Sequence, residues 1–155
     1  MTSQLAREAI IPNPHLAPFM PLIGNWKTVG HHSMMPGTTL HGRATFEWHE
    51  GGAFLCMRSD VEEEGIPSAI ALIGSDDDDK GFTMMYFDER AVSRRFEVTC
   101  GDGVVRWARV APGFSQRYVL TLAPDGNTLH GVSSLSKDDK TWEQDMEVRY
   151  TKVKS

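Results

Sequence analysis

From Asn25 to Val153, apolar and polar residues alternate through ten short segments, most of them separated from the next by a turn cluster. A period of two puts successive side chains on opposite faces of a strand, so the pattern predicts an all-β chain. Trp26, Thr28, Gly30 and His32 share one face of the first segment, with Lys27, Val29 and His31 on the other. In the second, Leu40, Gly42, Ala44, Phe46 and Trp48 alternate with His41, Arg43, Thr45, Glu47 and His49, the cleanest half-buried strand in the chain. Glu50-Gly51-Gly52 then supplies a hairpin turn, because glycine tolerates the positive φ such turns need. The remaining segments are Phe54 to Val61, Ile66 to Ile73, Phe82 to Phe87, Val92 to Cys100, Val104 to Val110, Phe114 to Leu122, Leu129 to Ser136 and Trp142 to Val153. The fourth is so continuously apolar that its pattern leaves its inward face open.

Short loops between successive strands favour antiparallel neighbours, and about ten up-and-down strands close into a barrel more readily than they stay flat. Asp76 to Asp79 with Lys80 is the only charge run and is expected at a solvated hairpin tip. Ahead of the strands, residues 1–13 form a loose arm ending in Pro12-Asn13-Pro14, and residues 14–155 form one barrel domain. His15 to Ile23 carries Leu16, Phe19, Met20 and Ile23 at helical spacing, interrupted by Pro18 and Pro21. Such a short helix would cap one end of the barrel.

The 155 residues suffice for one domain with a real core. A formal charge of −5, with Lys and Arg scattered rather than striped, argues against a nucleic-acid partner. No apolar run approaches the roughly 20 residues that span a bilayer, and Met1 to Leu16 lacks the order of a signal peptide, so a cytoplasmic protein with no membrane partner is expected. Cys56 and Cys100 lie on separate apolar segments without metal-type spacing and are expected as reduced thiols.

Gly24-Asn25-Trp26 after a short apolar helix resembles the Gly-x-Trp motif of the calycin group, which includes lipocalins, fatty-acid-binding proteins and nitrobindins. More of the chain resembles the DUF1579-type, lipocalin-like family of small bacterial proteins. The stretches that carry this are His32-x-x-x-Pro36-Gly37, Ala44-Thr45-Phe46-Glu47-Trp48 with Glu50-Gly51-Gly52, Met85-Tyr86-Phe87-Asp88-x-Arg90, and Ala111-Pro112-Gly113-Phe114-Ser115-Gln116-Arg117. Thr141-Trp142-Glu143 and Tyr150-Thr151 fit the same pattern. The resemblance implies a calycin-like β-barrel and brings no settled activity with it. Nitrobindins and fatty-acid-binding proteins are a more distant likeness, and the haem-ligating histidine of nitrobindins has no matching motif here.

The apolar face of a soluble barrel points inward, so parity nominates the cavity lining. Trp26 and His32, Phe46 and Trp48, Phe54 and Arg58, Met84 and Tyr86, Arg94 and Phe96, Trp107 and Arg109, Gln116 and Tyr118, and Trp142 and Met146 are the expected inward pairs. So many aromatics and methionines suit a flat or flexible apolar ligand. Arg58, Arg94 and Arg109 stand out, because an unpaired buried guanidinium is costly while a ligand carboxylate would pair with it. The alternative is that they pair with Asp60, Glu97 or other acidic neighbours, or that the parity slips by one.

The expected function is non-covalent binding of a small, largely apolar molecule carrying a carboxylate or carbonyl. Trp26, His32, Phe46, Trp48, Arg58, Tyr86, Arg94, Arg109, Gln116 and Met146 are the candidate binding residues. A cyclase or isomerase is the first alternative, with His32 oriented by Asp60 as a base and Tyr86 or Arg94 polarising a carbonyl. A haem or metal protein using His32 is the second, although the expected set has no metal site and no resident cofactor. His31 and His32 fall on opposite faces, and His41, His49 and His130 are expected to face out. A barrel filled by its own side chains and acting as a scaffold is the third alternative. The exposed apolar content is ordinary, and a homodimer is carried only as an option.

Overall fold

The computed structural model describes residues 10–76 and 81–154. Its strands are β1 (Gly24–His32), β2 (Leu40–His49), β3 (Phe54–Val61), β4 (Ala69–Ser75), β5 (Phe82–Asp88), β6 (Val92–Gly101), β7 (Val104–Arg109), β8 (Ser115–Leu122), β9 (Thr128–Ser136) and β10 (Glu143–Lys152). Each pairs antiparallel with its sequence neighbours, and β1 pairs with β10 to close the barrel. Closure leaves no unpaired strand edge, which is how an all-β chain avoids templating its own aggregation. The expected all-β, ten-stranded antiparallel barrel is therefore the observed architecture.

One end is closed by a 3-10 helix, Pro14–Leu22. Asn13 caps it by accepting a hydrogen bond from the His15 amide, and Pro18 and Pro21, which lack amide donors, keep it from winding into a regular α-helix. Leu16, Phe19 and Leu22 point into the barrel and are almost fully buried. Phe19 meets Phe82 edge to face at 4.8 Å, and the Trp26 indole N–H donates to the Leu22 carbonyl at 2.9 Å. Together with Phe46, Leu55, Ile73 and Met84, these side chains fill the plugged half of the barrel.

Gly42 shows how tightly the wall is coiled, because a β-carbon there would stand 2.0 Å from the Asp60 carbonyl oxygen. Only glycine lets β2 and β3 approach this closely. At the plugged end the β2–β3 connection needs positive φ at Gly51 and Gly52 (68° and 95°), as its sequence implied.

β4 starts at Ala69, three residues later than the apolar pattern suggested, with Pro67 lying in the preceding connection. Ala69, Ala71 and Ile73 form its inward face. Residues 77–80 of the acidic run lie outside the described residues, while Asp76 accepts a hydrogen bond from the Thr83 hydroxyl. Cys56 and Cys100 are free thiols, and burial pushes the Cys100 thiol up in pKa. No helix among the described residues is long and apolar enough to cross a membrane.

Candidate functional site

Strand direction alternates around the barrel, so its unplugged end collects the C-terminal residues of β1, β3, β5, β7 and β9 with the N-terminal residues of their partners. We call this end the mouth. His32, Tyr86, Arg94, Arg109, Gln116 and Met146 all occupy inward register positions there, as the alternation predicted. They are only half-buried, whereas inward residues beneath the plug are sealed. Inward positions are therefore sealed at the plug and reach solvent at the mouth.

Arg94 and Arg109 define one wall. Burial depresses the pKa of Arg94, and the nearby Arg109 and Arg90 charges push it the same way. No carboxylate among the described residues lies within 4.0 Å of either guanidinium. The contact made by Arg94 is with the Phe114 ring, 5.4 Å from its centroid. Beside them, Tyr86 donates its hydroxyl proton to Asp88 at 2.8 Å, and Arg90 grips the same carboxylate through Nη2 at 2.7 Å and Nε at 3.1 Å. The Arg90 fork holds Asp88 down at about 2, while desolvation, followed by the bond to Asp88, pushes Tyr86 up to about 12. Asp88 is thus held directly by Tyr86 and Arg90, and its charge reaches Arg94 only from beyond ion-pair distance.

Further round the barrel His32 and Gln116 were expected, and Asp145 was not. β10 carries a bulge between Gln144 and Met146, and the extra residue, Asp145, comes within 3.9 Å of His32 Nε2 through Oδ2. Its Oδ1 is buried without a hydrogen-bond partner, and so is Oε1 of Gln116 on β8. Deeper in, the Tyr118 and Tyr150 hydroxyls bond at 2.5 Å, and burial raises both phenols, Tyr150 to about 12. Tyr118 stacks on Trp107 with ring planes 2° apart and centroids at 4.3 Å, forming a flat aromatic floor.

Several sequence expectations are corrected. Register pairs Trp48 with Leu55 and Phe46 with Met57, so β3 sends Leu55, Met57 and Ser59 inward. Phe54, Arg58 and Asp60 face outward, one residue out of the expected phase. Arg58 is an exposed partner of Glu47 at 3.4 Å, and Asp60 shares no site with His32. With Ser68, Ile70, Phe87 and Glu89, both line an open outer groove of about 430 Å³. The Asp145 bulge also flips the phase of β10, so Met146 points inward while Trp142 lies outside under Arg117, whose guanidinium sits 3.4 Å from the ring centroid. Trp26 and Phe46 are inward but packed beneath the plug, and Trp48 is inward and half-buried. His31, His41, His49 and His130 are exposed, and His130 pairs with Glu147 at 2.7 Å. Among the described residues, no three His, Cys, Asp or Glu side chains gather into a metal-binding group.

The fold is that of a calycin-like barrel. The crystal structure of Rv2717c from M. tuberculosis superposes with a TM-score of 0.66 at 12% identity, covering 92% of this chain and 99% of that one. An S-type phycobiliprotein lyase, CPES, from Guillardia theta superposes at 0.59 with 11% identity, covering 88% and 91%. At such identities the likeness extends to the fold alone. No family model and no curated protein matches the sequence, so the resemblance to the DUF1579-type family rests on the motifs quoted above.

Proposed function

We propose that the barrel binds a small, largely apolar molecule through its mouth and holds a carboxylate, or another anionic or carbonyl group, against Arg94 and Arg109. The observation that carries this reading is the pair of inward, partly desolvated guanidinium groups with no carboxylate partner. Two like charges brought together in a partly dry wall destabilise each other, and an anion bridging them reverses the sign of that interaction. The Trp107–Tyr118 stack and Met146 supply apolar surface for the rest of the ligand. The phycobiliprotein lyase, whose barrel is similar, lends this reading general support. In this reading the lumen carries no resident cofactor, and an absorbance scan of the purified protein is expected to show no haem band.

Anilinonaphthalenesulfonate tests the proposal, its sulfonate standing for the ligand carboxylate, against N-phenylnaphthylamine, the same skeleton without the charge. Fluorescence titration is expected to give about a tenfold preference for the anion, as for one charge-assisted hydrogen bond. Arg94→Gln and Arg109→Gln each erase most of that preference. Equal affinity for the two probes in the unmodified protein would sink the proposal.

A second reading, an isomerase or cyclase, draws on the His32–Asp145 approach of 3.9 Å. His32 Nδ1 accepts the Met34 amide proton at 3.0 Å, which assigns the proton of the neutral ring to Nε2, facing Asp145. The Asp145 carboxylate faces that proton, and with Nδ1 occupied by the Met34 amide the ring in this arrangement serves as a proton donor to a carbonyl, not as the base expected with Asp60. The same tautomer leaves neither ring nitrogen a free lone pair, an arrangement poorly suited to a haem or metal ligand. Turnover of any carbonyl substrate found for this protein should disappear in His32→Ala, whereas simple binding should survive it.

A further inference from the structure

We infer that the ligand of this barrel carries, besides its anionic group, an N–H or O–H donor that is held by acceptors on the stretch of wall running on from Arg109 through β8 to β10. This deepens the proposed function and rests on it. Asp145 Oδ1 and Gln116 Oε1 are both buried acceptors, and neither has a hydrogen-bond partner. A buried acceptor without a donor is destabilising, more so when it belongs to a carboxylate, so native proteins seldom leave one unless a water or ligand completes it.

The register explains why these two atoms act together. Gln116 pairs with Leu135 across β8 and β9, and Leu135 pairs with Glu143 across β9 and β10, two residues before Asp145. Gln116 is thus level with Glu143, and Asp145 lies one to two residues deeper two strands away, roughly 10 Å off at the backbone, a gap that inward-pointing side chains narrow. Arg109 pairs directly with Gln116, so the cationic and accepting groups meet at β7 and β8. The bulge places Asp145 on the inner side without taking an inward position from Met146, and nothing in the barrel's own hydrogen bonding uses its Oδ1. A flat apolar acid bearing an amine, amide, pyrrole-type N–H or hydroxyl would satisfy the cations and the acceptors at once. A plain fatty acid would leave the acceptors unmet.

The test compares anilinonaphthalenesulfonate, which has a sulfonate and one N–H, with pyrenesulfonate, which has the sulfonate and no donor. In the unmodified protein the donor-bearing probe is expected to bind about tenfold more tightly. In Asp145→Leu that ratio should fall towards one, and in Gln116→Met, where no charge changes, it should fall in the same direction, with thermal unfolding confirming that both variants are folded. An unchanged ratio in both variants, or no preference in the unmodified protein, overturns this inference and leaves the anion site standing. Failure of both sulfonates to bind overturns the anion site and this inference together.

Discussion

At the plugged end, Leu16, Phe19, Trp26, Phe46, Leu55 and Ile73 fill the barrel to exposures of 2% or less. At the mouth, the equivalent inward positions go to His32, Arg94, Arg109 and Gln116, with Asp145 added by a bulge. The two ends share one backbone architecture and differ in what their side chains can satisfy internally. Beneath the plug, the Trp26 indole, the one polar handle of that cluster, donates to Leu22. At the mouth, two guanidinium groups and two acceptor oxygens have no such partner, and this residue of unmet chemistry is what an incoming molecule can use.

The comparison is broken most directly at the plug. Trp26→Ala should lower stability by about 3 to 5 kcal/mol in denaturant unfolding, the usual loss for truncating a buried large aromatic. Gly42→Ala should cost about 3 kcal/mol by the same measurement, because the new methyl group meets backbone on β3, which a side-chain rotation cannot relieve. A loss under 1 kcal/mol in either variant would show that the plugged half is less tightly built than its burial indicates.

Between the two ends, Tyr150→Phe removes a phenol that is bonded only to Tyr118, and about 1 kcal/mol should be lost. The acid limb of stability sharpens the account of the mouth. Asp88 titrates in the folded state at about 2, below its ordinary 3.8, so the unfolded chain binds the proton more readily. Its contribution is therefore present above about 4 and fades as pH falls through about 2. Asp88→Asn should flatten the pH dependence of unfolding in that window, and an unaltered profile would mean that the Arg90 fork is not holding the charge in solution. Smallest of all should be the stability change in Arg94→Gln, near zero or slightly stabilising, since removing one of two neighbouring charges relieves their repulsion. A large destabilisation there would instead assign the arginine to the architecture.

Alternation and turn signals located every strand but β4 to within a residue or so, because strands with a distinct apolar face cannot slip register without exposing it. The same parity brought His32, Arg94, Arg109 and Gln116 to the lumen. It failed at β3, where Phe54, Cys56 and Leu55 are all apolar and the choice of phase turned on which of them the β2 register would accept. Arg58 and Asp60 followed that phase to the outside. In β10 the bulge carried Trp142 outward, and no local sequence signal announces a single extra residue between two strands.

The sequence by itself determined the strand count, the all-β class, the plug and most of the cationic wall, because these depend on a period of two and on side chains a few residues apart. Only the tertiary structure decided that Asp88 is neutralised by Arg90 while Arg94 and Arg109 have no acid partner, and that Asp145, not Asp60, faces His32. Pairings of this kind depend on inter-strand register and on a bulge, quantities fixed by contacts between segments far apart in the chain, which no local pattern encodes.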